Sequence, residues 1–190
     1  TLTLPESKPM INAGAKEVLV VTNADLRESA NVACWPVQNK FEEKLTQALS
    51  SRFGYATKRA HLFKGDMGHG FISSQREGSD LFATIAPDSP VIVLLTAWQY
   101  SHHLAPSLAK HRGRVLLLAN FDGTWPGLVG MLCMAGTLTS LGKGYSRLWS
   151  SAFDDDYFYA GLKAWLATGQ IEHDTSYLHP VDNTHPAAAT

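Results

Sequence analysis

The sequence predicts an α/β fold: a doubly wound, parallel, five-stranded sheet with helices on both faces. Three observations lead there. Apolar runs of strand length alternate about five times with segments of helical spacing. The clearest runs, Val91-Ile-Val-Leu-Leu-Thr96 and Arg114-Val-Leu-Leu-Leu-Ala119, are apolar on both faces, as in a parallel sheet covered on each side. Turn-forming residues, such as Asn23-Ala-Asp25 and Asp122-Gly123, follow the strands.

Each element has its own signal. Glu17-Val-Leu-Val-Val-Thr22 is short, apolar and rich in β-branched residues, hence a buried strand. Pro36 to Phe53 reads as a helix, with Phe41, Leu45, Ala48 and Leu49 on one face and Pro36 at its start. Tyr55 to Phe63 is a weaker strand, followed by a loop, Lys64 to Gly70. Phe71 to Ile85 is a weak helix with Ser73 or Ser74 near its cap. The Val91 strand follows Pro90, and Leu104 to His111 is a short helix. After the Arg114 strand come an apolar helix (Leu128 to Leu138), a brief strand (Ser146 to Trp149) and a last helix (Asp154 to Ala167). Five such units give the flavodoxin-like order 2-1-3-4-5, with ligands beyond the carboxyl ends of the strands. The loops at that end are Asn23–Pro36, Ala97–His103 and Asn120–Pro126.

The 190 residues fit one domain of ~100–200 residues. Residues 1–169 are read as that domain and 170–190 as a linker toward a second one. Thr1 in place of Met, and the closing string HPVDNTHPAAAT, give the expectation that the chain is cut from something longer. Charged residues make up 17%, below the ~25% usual for soluble domains, which favours an oligomer or a packed neighbour. A net charge of −1 gives no electrostatic case for nucleic acid or an anionic membrane. No apolar run approaches the ~20 residues of a membrane span, and the N-terminus has no signal-like apolar stretch, so a cytoplasmic location is expected. Cys34 and Cys133 have neither metal nor redox spacing and read as buried free thiols.

Several standard chemistries drop out. Gly136 to Gly144 is one residue too long for a phosphate loop, lacks Ser or Thr after Lys143, and follows a helix. The turn after the first strand is too acidic and too poor in Gly for a flavin phosphate. The third strand ends in Thr96-Ala97-Trp98, without the Asp of a phosphate receiver. No Gly-x-Ser-x-Gly elbow is present. His102 and His103 are adjacent and point differently; His173, His179 and His185 are scattered through the tail. Asp154-Asp155-Asp156 is explained as the acidic start of the last helix.

What remains is a set of aromatics at the ligand-facing end. Trp98 and Tyr100 follow the third strand, and Trp125 follows the fourth beside the Asp122-Gly123 turn. Rim aromatics beside polar turns suit a sugar, whose C–H faces stack on rings and whose hydroxyls need polar partners. On the residues alone, core or interface packing is the favoured reading of these aromatics, with sugar binding second.

The stretch Thr96-Ala-Trp98-Gln-Tyr100-Ser101, then Asn120-Phe-Asp-Gly-Thr-Trp-Pro-Gly-Leu-Val-Gly130 and Met131 to Leu138, resembles the N-terminal domain of the L-fucose/L-arabinose isomerase superfamily. The resemblance covers roughly Pro90 to Ala167. Leu26-Arg27-Glu28-Ser29 is similar to the family's turn after its first strand. The resemblance implies an aldose–ketose isomerase. In that family manganese polarises the sugar oxygens and paired carboxylates shuttle a proton. The metal ligands belong to the family's later domains, so this chain is expected to hold no catalytic residue, bind no cofactor itself and be inactive alone. It is expected to contribute to a homo-oligomer, trimer or hexamer, and to the rim of the sugar site. Trp98 matches the family's rim tryptophan and Arg27 is a weaker substrate-side match. Tyr100, Asp122 and Trp125 complete the candidate set. The alternatives are a stand-alone sugar or small-metabolite binding module and a purely structural oligomerisation domain.

Overall fold

A computed structural model describes residues 10–179. The lead-in before Met10, the last part of the expected linker and His185 lie outside the described residues. Five strands form one parallel sheet: β1 (Glu17–Val21), β2 (Ala56–Arg59), β3 (Val91–Leu95), β4 (Val115–Asn120) and β5 (Ser146–Ser150). Their order is β2-β1-β3-β4-β5, the flavodoxin-like arrangement. Five α-helices connect or follow them: α1 (Glu28–Ala48), α2 (Gln75–Phe82), α3 (Ala105–Lys110), α4 (Leu128–Ser140) and α5 (Asp156–Thr168).

Strand alternation sorts the core into two layers. Leu19, Val21, Val91, Val93 and Leu95 face α2, α3 and α4. Val18, Val20, Ile92 and Leu94 face α1 and α5, where Phe41, Phe158 and Trp165 pack. All five residues of β3 and all six of β4 are buried, which is why those runs carry no polar alternation. Cys34 is a buried free thiol as expected, but Cys133 lies off the buried face of α4 and is only partly buried.

Three element boundaries differ from the sequence expectation. α1 begins at Glu28, and Pro36 lies inside it. Pro36 therefore does not open the helix, and much of the expected Asn23–Pro36 loop is helical. The signal was obscured because the buried face of this first part carries Asn31 and Gln38 among Ala30, Cys34 and Trp35. β2 stops at Arg59, where pairing with β1 ends, so Leu62 and Phe63 lie in an exposed loop. α2 spans Gln75–Phe82; Phe71 and Ile72 are buried in extended chain, with Ile72 bridged to Asn23. Ser74 caps α2 by accepting from Glu77 N–H.

α5 opens as expected: the Asp155 carboxylate accepts from Phe158 N–H at 2.7 Å. After α5 the tail does not leave the domain at once. Ile171 N–H donates to Ser146 Oγ, and the His173 ring stacks on Trp149 at 5.2 Å and bonds the Arg147 carbonyl at 3.0 Å. Among the described residues, no helix is long and apolar enough to cross a membrane.

Candidate functional site at the carboxyl end of the sheet

The chain leaves β1 through Thr22, Asn23, Ala24 and Asp25, and leaves β3 through Thr96, Ala97, Trp98 and Gln99. β1 and β3 are neighbours, so these turns lie side by side. Most of their polar groups are buried and bonded across the gap. Thr22 Oγ1 donates to the Leu94 carbonyl at 2.8 Å. Asn23 Nδ2 donates to the Ser101 carbonyl at 2.7 Å and to its hydroxyl at 2.6 Å. Thr96 Oγ1 donates to Gln38 Oε1 on α1. The His61 imidazole accepts from Thr22 N–H at 3.1 Å.

Gln99 is the hub. Its Oε1 accepts from Thr96 N–H and Ala97 N–H at 3.0 and 3.2 Å, and its Nε2 donates to the Asn23 carbonyl. Its φ is +42°, in the left-handed region that non-glycine residues seldom occupy. Such strain concentrates where a turn must aim its side chains. Here it buries Gln99 and leaves its neighbours Trp98 and Tyr100 on the outside, 41% and 42% exposed.

Arg27 meets those aromatics. Its guanidinium lies over the Trp98 ring, 5.4 Å from the centroid, and Trp98 and Tyr100 stand 6.3 Å apart at 42°. Asp25 fixes the arginine: Oδ1 accepts from Arg27 Nε at 2.8 Å and from its backbone N–H at 2.9 Å, and Oδ2 accepts from Nη2 at 3.2 Å. Burial works to raise the Asp25 carboxyl, whose side chain is 3% exposed. The Arg27 hydrogen bonds and charge outweigh it and hold the group below the usual carboxylate range. Asn31 anchors the turn from α1, accepting from Asp25 N–H and donating to the Asp25 carbonyl.

The structure thus brings together three of the five sequence-selected residues: Arg27, Trp98 and Tyr100. Trp125 sits on an adjacent apolar cluster of Ala24, Trp35, Phe71 and Ala97. Asp122 is exposed, and among the described residues its carboxylate makes no hydrogen bond or ion pair. Its turn is shaped by Asn120, whose Nδ2 donates to the Asp122 and Trp125 carbonyls at 3.0 and 2.7 Å. Sequence reasoning missed Gln99, Asn23, Asp25 and Ser101 as the frame of the site. A polar run at the end of each apolar strand was the available signal.

Beside this frame, His69 is fully buried. Its Nδ1 accepts from Phe71 N–H at 3.1 Å, so Nε2 carries the proton and meets Glu28 at the start of α1 at 2.7 Å. Among the described residues, no group of three or more His, Cys, Asp or Glu is placed to hold a metal ion.

A cleft of about 740 Å³ lies at the opposite end of the sheet, lined by Arg112, Arg114 and Lys143. Its cations are already engaged. Arg114 Nη1 donates to the Trp165 and Leu166 carbonyls at the end of α5, and Lys143 to the His111 carbonyl after α3. Arg112 pairs with Asp88. Cations at helix carboxyl termini satisfy orphan carbonyls and complement the dipole, which accounts for Arg114 and Lys143 without a ligand. Neither Trp98 nor Arg27 lines this cleft.

Comparison with family models, curated proteins and solved structures finds no match for this chain.

Proposed function

We propose that this chain is the N-terminal domain of a sugar isomerase-like protein, inactive alone, whose β1–β3 rim lines a sugar site completed by other domains. The observation that carries the reading is the cluster of Arg27 over Trp98 with Tyr100 beside it, at the end of the sheet where this fold binds ligands. Ring faces suit the C–H face of a pentose or deoxyhexose, and the guanidinium supplies donors to hydroxyls. The Asp25 carboxylate offsets the Arg27 charge, so the rim favours a neutral sugar over an anionic one. Manganese, where the parent protein uses it, is held by other domains, and no catalytic step is assigned to residues of this chain. The chain contributes orientation and water exclusion at the rim.

The test is a titration of the isolated chain with L-fucose and L-arabinose, followed by NMR at the Trp98 indole N–H and Arg27 Nε–H. Shifts confined to the rim are expected, with affinities on the order of 1 mM or weaker, because one wall of a site supplies few contacts. Turnover of either sugar with added manganese is expected to be absent. Silence at both groups up to about 100 mM sugar defeats the reading, since that ceiling corresponds to negligible affinity. Turnover by the isolated chain defeats the assignment of catalysis to other domains.

A further inference from the structure

An exposed arginine at the ligand-binding end of such a sheet is ordinarily an anion hook, because its fork of N–H groups matches the oxygens of a phosphate or carboxylate. In Arg27 one edge of that fork is already loaded. Asp25 accepts from Nε at 2.8 Å, from Nη2 at 3.2 Å and from the backbone N–H at 2.9 Å. Among the described residues, Nη1 meets no acceptor.

The Asp25 carboxylate is not free to swing aside. Its side chain is 3% exposed, against 55% for that of Arg27. Asn31 clamps its backbone on both sides, accepting from Asp25 N–H at 2.7 Å and donating to the Asp25 carbonyl at 3.1 Å. An incoming anion that claimed the Nε–Nη2 edge would strand a buried carboxylate without its cation. Removing one partner of a buried pair is the strongly destabilising way to break it.

The surrounding charge gives an anion no other hold. The loops that leave β1, β2, β3 and β4 carry two lysine or arginine side chains, Arg27 and Lys64. Lys64 is met by Glu77 at 3.0 Å. In the same loops Asp66 and Asp122 are exposed and make no ion pair among the described residues. Glu28, next to Arg27, meets the His69 ring, which the Phe71 N–H on Nδ1 holds neutral. Carboxylates are therefore in surplus at this end, and like charge repels an anion on approach.

We infer that Asp25 is the residue that closes the rim to anions: its buried pair with Arg27 leaves Nη1 and the Trp98 ring to an uncharged ligand and turns away phosphorylated or acidic ones. That the uncharged ligand is a sugar rests on the reading above, whereas the rejection of anions rests on the ion pair.

Inorganic phosphate is the probe. It is titrated at constant ionic strength into the wild type, Asp25→Asn and Asp25→Ser, and followed by NMR at the Arg27 Nε–H and the Trp98 indole N–H. Both signals are local, which matters because Arg112, Arg114 and Lys143 line a cleft at the other end of the sheet. Asn and Ser each keep an acceptor for the Arg27 backbone N–H, and the Asn31 bonds go to backbone, so the turn survives. The wild type is expected to show no saturable shift up to about 50 mM phosphate, a ceiling that corresponds to negligible affinity. Both variants are expected to saturate at concentrations at least about tenfold lower, the scale of a gained charge-assisted hydrogen bond. Adding Arg27→Gln to Asp25→Asn abolishes the response at Trp98. Saturable phosphate binding by the wild type at these two groups overturns the inference, and so does silence of both Asp25 variants. L-Fucose, titrated in parallel, separates this inference from the sugar reading. A chain that ignores fucose yet takes phosphate once Asp25 is replaced keeps the gate and loses the sugar. A wild type that takes both keeps the sugar and loses the gate.

Discussion

The side-chain amide of Gln99 donates to the backbone carbonyl of Asn23 at 2.5 Å and ties the turn after β3 to the turn after β1. Because the same side chain accepts from Thr96 N–H and Ala97 N–H, its loss orphans three buried backbone groups at once. Gln99→Leu is expected to destabilise the fold by about 2–4 kcal/mol, since each buried unsatisfied group costs roughly 1–3 kcal/mol and relaxation recovers part of it. Urea denaturation checks the magnitude. A second readout, the Trp98 indole shift, is expected to move as the turn loses its frame.

The start of α4 lies against the turn after β3. A Cβ on Gly127 would overlap the Leu95 carbonyl, and one on Gly130 would overlap the Trp98 carbonyl. Both neighbours are backbone and cannot swing aside. Gly127→Ala and Gly130→Ala are each expected to cost about 2–4 kcal/mol by forcing α4 off the sheet. Gly136, in the same helix, meets nothing within 4 Å. Gly136→Ala is expected to stabilise by about 0.5–1 kcal/mol through helix propensity alone. Thermal melts of the three variants give the comparison, and similar signs for all three refute the close-packing account.

Burial first, and the Arg59 charge second, push the His61 imidazole down to about 3. His111 and His103 are also lowered, chiefly by burial. The unfolded chain therefore binds more protons than the folded one between about pH 6.5 and pH 3, so stability falls as pH falls through that window. For His61 alone the loss by pH 4 is on the order of a few kcal/mol. His61→Gln keeps an acceptor for Thr22 N–H while removing the titration. Its melting temperature is expected to be flatter than wild type between pH 6.5 and 4. A wild-type melting temperature that rises on acidification contradicts the assignment.

Pro36 sits in the ninth position of α1 and cannot donate to the Val32 carbonyl one turn earlier. Pro36→Ala restores that bond in a helix that is already formed on both sides. A gain of about 1–3 kcal/mol is expected, because interior proline is roughly 3 kcal/mol worse than alanine in a helix. Calorimetry checks it. A loss would contradict the expectation that the missing Pro36 hydrogen bond is the dominant effect.

The sheet was legible because β1, β3 and β4 each carry a continuous apolar run of strand length bounded by turn residues. Trp98 and Tyr100 were legible as rim residues because strand ends fix where the chain emerges, whereas Arg27 was singled out only by the resemblance of its turn. The first turns of α1 were not, since Asn31 and Gln38 are buried by hydrogen bonds that no hydrophobic stripe announces. The end of β2 was not, because Leu62 and Phe63 continue its apolar pattern into a loop. The role of Gln99 was not, because its burial depends on a positive φ that sequence does not encode outside glycine.

β1 lies between β2 and β3, and Leu19 pairs with Val91, 72 positions later in the chain. On a ribosome adding roughly 5–20 residues per second, that partner follows by about 4–14 s. Through that interval one edge of a strand buried from Val18 to Val21 has no native neighbour, and the nascent N-terminal half cannot bury it by itself. When β3 arrives the unpaired edge passes to β3, and it closes only after β4, whose Val115 pairs with Val91.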